Sequence, residues 1–242
     1  MPAEKFEGIY RDLKEKIENG TYPQGTMLPS EHTMTSIYQC SRNTVRRAVA
    51  LLINDGYVQS IHGKGVQIIY TPVEQASFTV GGIESFAETA KRNNLTYTTK
   101  VILFSEITVD EHVARRTGFP EGVDVYYMQR IRYIDGKPLI LDINVFLKEV
   151  AVGLTEEIAA DSIYRYLEDD LGVQIVTSNR KITAERATQL DSSSLKLGDY
   201  DFVAVITGQT YNSAGIMFEW TQSRHHPDYF VFYDSASRKK GS

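Results

Sequence analysis

Phe6, Ile9, Tyr10, Leu13 and Ile17 recur at the spacing of one helix face, with Lys14, Lys16 and Glu18 around the other. Asn19-Gly20 ends that helix, and Tyr22-Pro23-Gln24-Gly25 reads as a turn. Ser30, directly after Pro29, is a good N-cap for a second short helix whose buried stripe is Met34, Ile37 and Tyr38. Gln39-Cys40-Ser41 breaks it. Ser41 then caps a third helix in which Val45, Ala48, Val49 and Leu52 form one face. Asn43, Arg46 and Arg47 project from the opposite side, Arg42 is exposed in the first turn, and Gly56 closes the helix. Tyr57 to Tyr70 alternates loosely as two strands around His62-Gly63-Lys64-Gly65. Three helices followed by a small hairpin predict a winged helix-turn-helix.

Thr71 to Ser77 lacks periodicity and contains a proline, which places a linker at 71–77 between domains at 1–70 and 78–242. Beyond it, strands and helices alternate. Residues 81–94 read as a glycine turn into a helix with Phe86 and Ala90 on its inner face. Thr99 to Ile107 is a strand, and Thr108 to Glu111 reads as a capping box opening a helix to Arg116. Val125 to Ile134 and Leu139 to Phe146 are strands joined by Asp135-Gly136, a hairpin signal. Asp161-Ser162 caps a helix that stops at Gly172, and Ile175 to Glu185 is a strand. Val203 to Tyr211 and Ile216 to Arg224 form another hairpin, and Phe230 to Tyr233 is a short last strand. Hairpins dominate, so the second domain should be α+β with a mainly antiparallel sheet.

Charge sharpens the division. The 242 residues carry a net charge of −5, but residues 1–70 hold eight Lys/Arg against seven Asp/Glu, whereas 71–242 hold eighteen against twenty-four. Any contact with nucleic acid is therefore local to the first domain. There the third helix carries three arginines and no acid before Asp55. Its width suits the major groove, and guanidinium forks suit phosphate oxygens or the O6/N7 edge of guanine. Lys64 between two glycines can approach the backbone from the wing. The single cysteine, Cys40, excludes an intrachain disulfide or a zinc site built on cysteines. The absence of a leader or long apolar run points to a cytoplasmic protein with no membrane partner. No cofactor motif, metal-ligand spacing or catalytic motif stands out.

Four pieces of the first domain, LPSE at 28–31, SRNTVRRAVALL at 41–52, DGY at 55–57 and HGKG at 62–65, resemble the DNA-binding domain of the GntR family of bacterial transcription regulators. The resemblance implies operator contacts from Arg42 and Arg46, with Ser41, Asn43 and Thr44 at the helix start, Arg47 further along, and His62, Gly63 and Lys64 in the wing. His32 stands where members often carry arginine or another long polar residue.

In the second domain, Arg130-Ile131-Arg132 is the strongest chemical signal. Residues two apart on a strand face one side, about 6.6–6.8 Å apart along the chain. Two such cations need an anion or carboxylates between them. A phosphorylated small molecule satisfies that, and so do ion pairs on an exposed strand face. His225-His226 cannot share a metal, because strand neighbours point to opposite faces; one fits a site and the other the surface.

GGIESF at 81–86, RIR with KPLILD at 130–142, DSIYRYLEDDLG at 161–172 and FEWTQSRHHPDYFVF at 218–232 resemble the effector-binding domain of the HutC branch of that family, the UTRA fold, which is related to chorismate lyase. The resemblance implies a phosphate site at Ser85, Arg130, Arg132 and Ser162. Asp142 and Glu219 would hold sugar hydroxyls, with Gly82, Phe86, Tyr164, Arg224 and His225 completing the site. Within that branch the details of the chain are similar to members that repress trehalose utilisation, which implies trehalose 6-phosphate as effector. An amino-sugar phosphate, a fatty acid or a histidine-pathway metabolite is the alternative. A homodimer on a palindromic operator is implied as well, and an enzyme is not.

The Asp135-Gly136 hairpin carries a check on this site. A simple two-residue loop would set Arg130 opposite Leu141 and turn Asp142 away. Only a three-residue or bulged connection sets Asp142 opposite Arg130.

Overall fold

The structure, a computed structural model, describes residues 2–71, 78–79, 83 and 85–233. The chain divides into two compact units built on residues 1–74 and 82–232. Most of the expected linker, 72–77, lies outside the described residues.

The first unit is α1 (Pro2–Glu18), α2 (Glu31–Tyr38), α3 (Arg42–Asn54) and the hairpin β1 (Val58–Ile61) and β2 (Gly65–Ile68). Its core is Leu13, Met34, Val45, Ala48, Leu52, Val58 and Ile68, all 2% exposed or less. Each full burial of a large apolar side chain contributes roughly 1.5–3 kcal/mol. Ser30 and Ser41 cap α2 and α3 by accepting from the amides of Thr33 and Thr44. Between them Gln39 sits at φ 46°, in the left-handed region, which bends the chain within two residues. A non-glycine residue adopts that conformation at a cost of roughly 1–2 kcal/mol, which the packing of both helices holds in place. Ile37 departs from the expected stripe and is 55% exposed. The eight-residue α2 turns only a narrow row inward. Tyr38 closes that row, its hydroxyl donating to Asp12 at 2.5 Å.

The second unit is a six-stranded sheet, β4 (Tyr97–Thr108), β5 (Asp124–Ile134), β6 (Lys137–Leu147), β7 (Ile175–Arg186), β8 (Phe202–Asn212) and β9 (Met217–His225), in the order β4-β5-β6-β9-β8-β7. Every pairing in it is antiparallel. A separate short pair joins β3 (Phe78–Thr79) to β10 (Phe232–Tyr233), a shorter last strand than expected. One face of the sheet packs Met128, Phe146 and Phe218 against Ile163 and Leu167. These belong to α7 (Ile163–Arg165) and the π-helical turn Tyr166–Asp170 that continues it; α4 (Phe86–Arg92) and α6 (Glu156–Ala160) are also part of this unit. The opposite face packs Val145 and Trp220 with Val113 of α5 (Glu111–Thr117), and Leu141 and Val205 with Leu195 of α8 (Gln189–Leu195).

Three sequence expectations change here. The cap of α5 is Asp110 rather than Thr108, which is still in β4 and donates to Asp124. The helices α6 and α8, five and seven residues long, were not anticipated, because neither is long enough to show a helical period. His226 is buried, not superficial, since β9 ends at His225 and the chain turns there, with His226 accepting from the Asp228 amide.

Candidate functional site

In the first unit, Arg42, Asn43 and Arg46 are exposed on α3, His32 is exposed on α2, and His62, Gly63 and Lys64 are exposed at the β1–β2 turn. Thr44 is half-buried and Ser41 gives its hydroxyl to the cap, 3.2 Å from the Thr44 amide. Arg47 is exposed but lies over the Phe6 ring of α1 at 4.0 Å, so it also ties two helices together. Arg46 makes a two-point contact to Glu31, Nε to Oε1 at 2.8 Å and Nη2 to Oε2 at 3.0 Å.

In the second unit the register of the sheet builds the site. Asp135 and Gly136 both have positive φ, 49° and 75°, the conformation of a two-residue turn that glycine and aspartate tolerate. Tyr133 pairs with Pro138 and Arg132 with Ile140, so Leu139 is an extra, bulged residue. The bulge sets Arg130 opposite Asp142, the register that the site requires. One row across the sheet then reads Thr99, Arg132, Ile140, His225. The next reads Val101, Arg130, Asp142, Ser223. Beyond them come Asn144 beside Thr221, and Glu219 beside Thr210.

These polar rows floor an open-mouthed cavity, with about 970 Å³ of space when the open mouth is counted. Ser85, Phe86, Ser162 and Tyr164 stand around it. Gly82 lies outside the described residues. Arg130 and Arg132 are 4% and 5% exposed, and Asp142 and Glu219 are 6% and 4%. Arg132 donates to Asp142 at 2.9 Å and to Thr99 at 2.6 Å, with the Phe86 ring 4.9 Å from its guanidinium carbon. Arg130 donates to Asn144 at 2.9 and 3.2 Å and to the carbonyl of Ala159 at 3.1 Å. Its nearest carboxylate oxygen, on Asp142, is 3.8 Å away. Tyr164 donates to Glu219 at 2.5 Å, and Ser223 to Asp142 at 2.6 Å.

The electrostatics follow from burial. Burial, and then the neighbouring Arg132, push Arg130 down to about 9, which leaves it protonated at neutral pH. Burial works to raise Asp142, but Arg132 and Arg130 outweigh it and hold the carboxyl below its ordinary value. Burial wins at Glu219, whose carboxyl is raised despite the Tyr164 hydroxyl. The arginine pair thus shares one tightly bound carboxylate, and an added anion would relieve the repulsion between the two cations.

Burial holds His225 down to about 4, with Asp142 pulling the other way. The imidazole is therefore neutral in the folded state through the physiological range. Because its folded value lies below the unfolded value of 6.5, stability that is complete above 6.5 is lost as pH falls toward 4. Urea unfolding at about pH 7.5 and about pH 5 should show this loss, and His225→Gln should shrink it; an unchanged pH slope in the variant would remove His225 from the account.

Arg224 does not reach the cavity. It pairs in register with Leu141, on the opposite face from Asp142 and Ser223. There it forks onto Asp191 of α8 at 2.7 and 3.0 Å and meets Glu185 at 2.7 Å. Its proposed effector contact is corrected to a structural ion pair. Arg224 and His225 are neighbours within β9 and so face opposite sides of the sheet, which parity along the strand already implies. The same parity marks residues that motif reading passed over: Asn144, Ser178, Thr210, Thr221 and Ser223 line the cavity. A strand with a polar residue at every second position, as in Glu219, Thr221, Ser223 and His225, signals a wet sheet face inside a buried strand.

Comparison with known proteins adds what geometry does not supply. Residues 5–68 match the bacterial regulatory proteins of the gntR family, and residues 92–231 match the UTRA domain. The HTH-type transcriptional regulator TreR of Bacillus subtilis (strain 168) is 36% identical over 240 residues, covering 99% of this chain and 100% of that protein. The HTH-type transcriptional repressor NagR of the same organism is 26% identical over 231 residues, covering 96% and 94%. Among solved structures, YydK of B. subtilis superimposes with a TM-score of 0.80 at 21% identity, over 96% of this chain and 99% of that one, a likeness of fold. The effector-binding domain of the B. subtilis trehalose repressor gives 0.54 at 34% identity, over 59% and 99%. The chain is a transcription regulator rather than an enzyme, and it belongs to the GntR family, with a UTRA domain as its second unit.

Proposed function

We propose that the protein is a repressor of a sugar-utilisation operon, that for trehalose, and that a phosphorylated sugar in the UTRA cavity releases it from its operator. The observation that carries this reading is the buried pair Arg130 and Arg132, facing one cavity with a single close carboxylate between them. A phosphate fits between two guanidinium forks, and its charge offsets the cost of burying both. Beyond it, Asp142, Asn144, Glu219 and Thr221 offer the alternating donors and acceptors that sugar hydroxyls need. Likeness to the trehalose repressor supports trehalose 6-phosphate in particular.

In this reading two copies of the chain dimerise through the second domain, and residues 71–77 join it to the first. Two winged domains then read the halves of a palindrome, with half-site centres about one helical turn, 34–36 Å, apart. The effector must bind the DNA-incompetent arrangement more tightly, since only differential affinity shifts an equilibrium. A coupling of about 1–3 kcal/mol would weaken operator binding about 5- to 150-fold.

Isothermal titration of the protein with trehalose 6-phosphate, free trehalose and N-acetylglucosamine 6-phosphate tests this. Micromolar binding of the first alone is expected. Heat only from the amino-sugar phosphate would keep the clamp and move the effector, and binding of free trehalose as tightly as its phosphate would remove the phosphate from the reading.

A further inference from the structure

The ion pair between Glu31 and Arg46 joins the first residue of α2 to the middle of α3, fifteen residues on. Both side chains are well exposed, at 43% and 65%. An exposed pair contributes only about 0–1 kcal/mol to stability, so folding gives little reason for it. Its geometry is specific, however. Glu31 engages Nε and Nη2, which form the side edge of the guanidinium. That leaves the end edge, one hydrogen on Nη2 and one on Nη1, pointing away from the carboxylate. Two parallel N–H groups on that edge match the O6 and N7 acceptors of guanine.

The carboxylate itself is well anchored. Ser30 caps α2 immediately before Glu31, and Met34 fixes the helix in the core at 2% exposure. A negative charge in the first turn is favoured by the free amides there. The hydrogen bonds from Arg46 hold the Glu31 carboxyl below its ordinary value, so it is charged wherever DNA is bound near neutral pH.

We propose that Glu31 is a positioning residue for base recognition: it holds Arg46 by its side edge so that the end edge is presented to a guanine in each half-site. This rests on the reading of α3 as the helix that enters the major groove. A long arginine free to rotate would gain as much from any phosphate as from a base edge. Tied to Glu31, it loses reach toward the backbone, and the carboxylate adds repulsion toward phosphates. The pair therefore trades general affinity for discrimination, which suits a regulator with an acidic overall charge.

The test uses the full chain and its Glu31→Gln, Glu31→Asp and Arg46→Ala variants. Each is bound to a randomised duplex library, and base preference is read at every position of the recovered sites. Affinity for poly(dI-dC) is measured across a salt series, and thermal melting checks that each variant folds. The Arg46→Ala variant should lose one guanine preference per half-site. Glu31→Gln should weaken that same preference roughly fivefold or more, the lower end of what a bidentate base contact is worth. It should also bind poly(dI-dC) more tightly, and Glu31→Asp should recover part of the preference. A full guanine preference in Glu31→Gln, where Arg46→Ala abolishes it, would overturn the positioning role alone. Base preferences unchanged in Arg46→Ala would overturn the underlying reading of α3. Uniform loss of preference at all positions in Glu31→Gln, with a lowered melting temperature, would make Glu31 merely structural and overturn the proposal as well.

Discussion

Under the proposed function, replacing Arg130 by alanine should abolish induction by the sugar phosphate and leave operator binding intact. The guanidinium is 4% exposed, faces the cavity, and among the described residues has Asn144 and the Ala159 carbonyl as its close acceptors. Removing one partner of a buried, hydrogen-bonded charge pair costs about 2–5 kcal/mol, so effector affinity should fall by roughly 30-fold or more. Stability should move little, because two effects oppose. The Asn144 and Ala159 oxygens lose a donor, while the burial of the Arg130 charge and its repulsion from Arg132, which together push Arg130 down, are both relieved. Titration with the effector, operator binding with and without it, and a melting curve separate these outcomes. Effector affinity unchanged in the variant would take the phosphate out of this cavity. Loss of operator binding would show that the two units do not divide the work as proposed.

Replacing Arg224 by methionine should do the reverse. Asp191 is fully buried and forks onto Arg224, so the substitution strands a carboxylate in the core between β9 and α8. Breaking a buried pair from one side costs about 3–5 kcal/mol, and removing both partners together costs far less. The double variant Arg224→Met with Asp191→Leu should therefore recover much of the loss. Burial works to raise Asp191, but its bonds from Arg224 and Thr188 win and lower it below 3.8. The stability it contributes is present above that value and is lost as pH falls through the folded one. Denaturant unfolding of the single variant should accordingly be less sensitive to acid than the wild type. Effector titration should be unchanged, because Arg224 is on the far face of the sheet. A large drop in effector affinity with stability intact would return Arg224 to the effector site.

The contrast between these two arginines shows how much of the site was legible. Arg130 and Arg132 share a strand and a parity, so their common face followed from the chain alone. Asp142 was conditional on the turn, and the hairpin offered two registers. Arg224 and His225 are neighbours on one strand and cannot face one cavity, yet resemblance alone set them together. Glu219, Thr221 and Ser223 carried a readable alternation that motif reading overlooked. The helices α6 and α8 left no periodic trace, because one or two turns do not complete a helical pattern.

By itself the sequence determined the winged helix-turn-helix, through caps at Ser30 and Ser41 and an apolar face at Val45, Ala48, Val49 and Leu52. It also determined an antiparallel second domain and a pair of cations on one sheet face. Local chemistry decides such features: spacing, capping and parity act within a few residues. Only the tertiary structure decided that Leu139 bulges, that Arg224 belongs to Asp191, and that Arg46 is held by Glu31. Each of these depends on which distant segments lie side by side. Register between strands and pairing between helices are set by the packing of a whole face, a sum over many contacts that no short stretch of sequence contains.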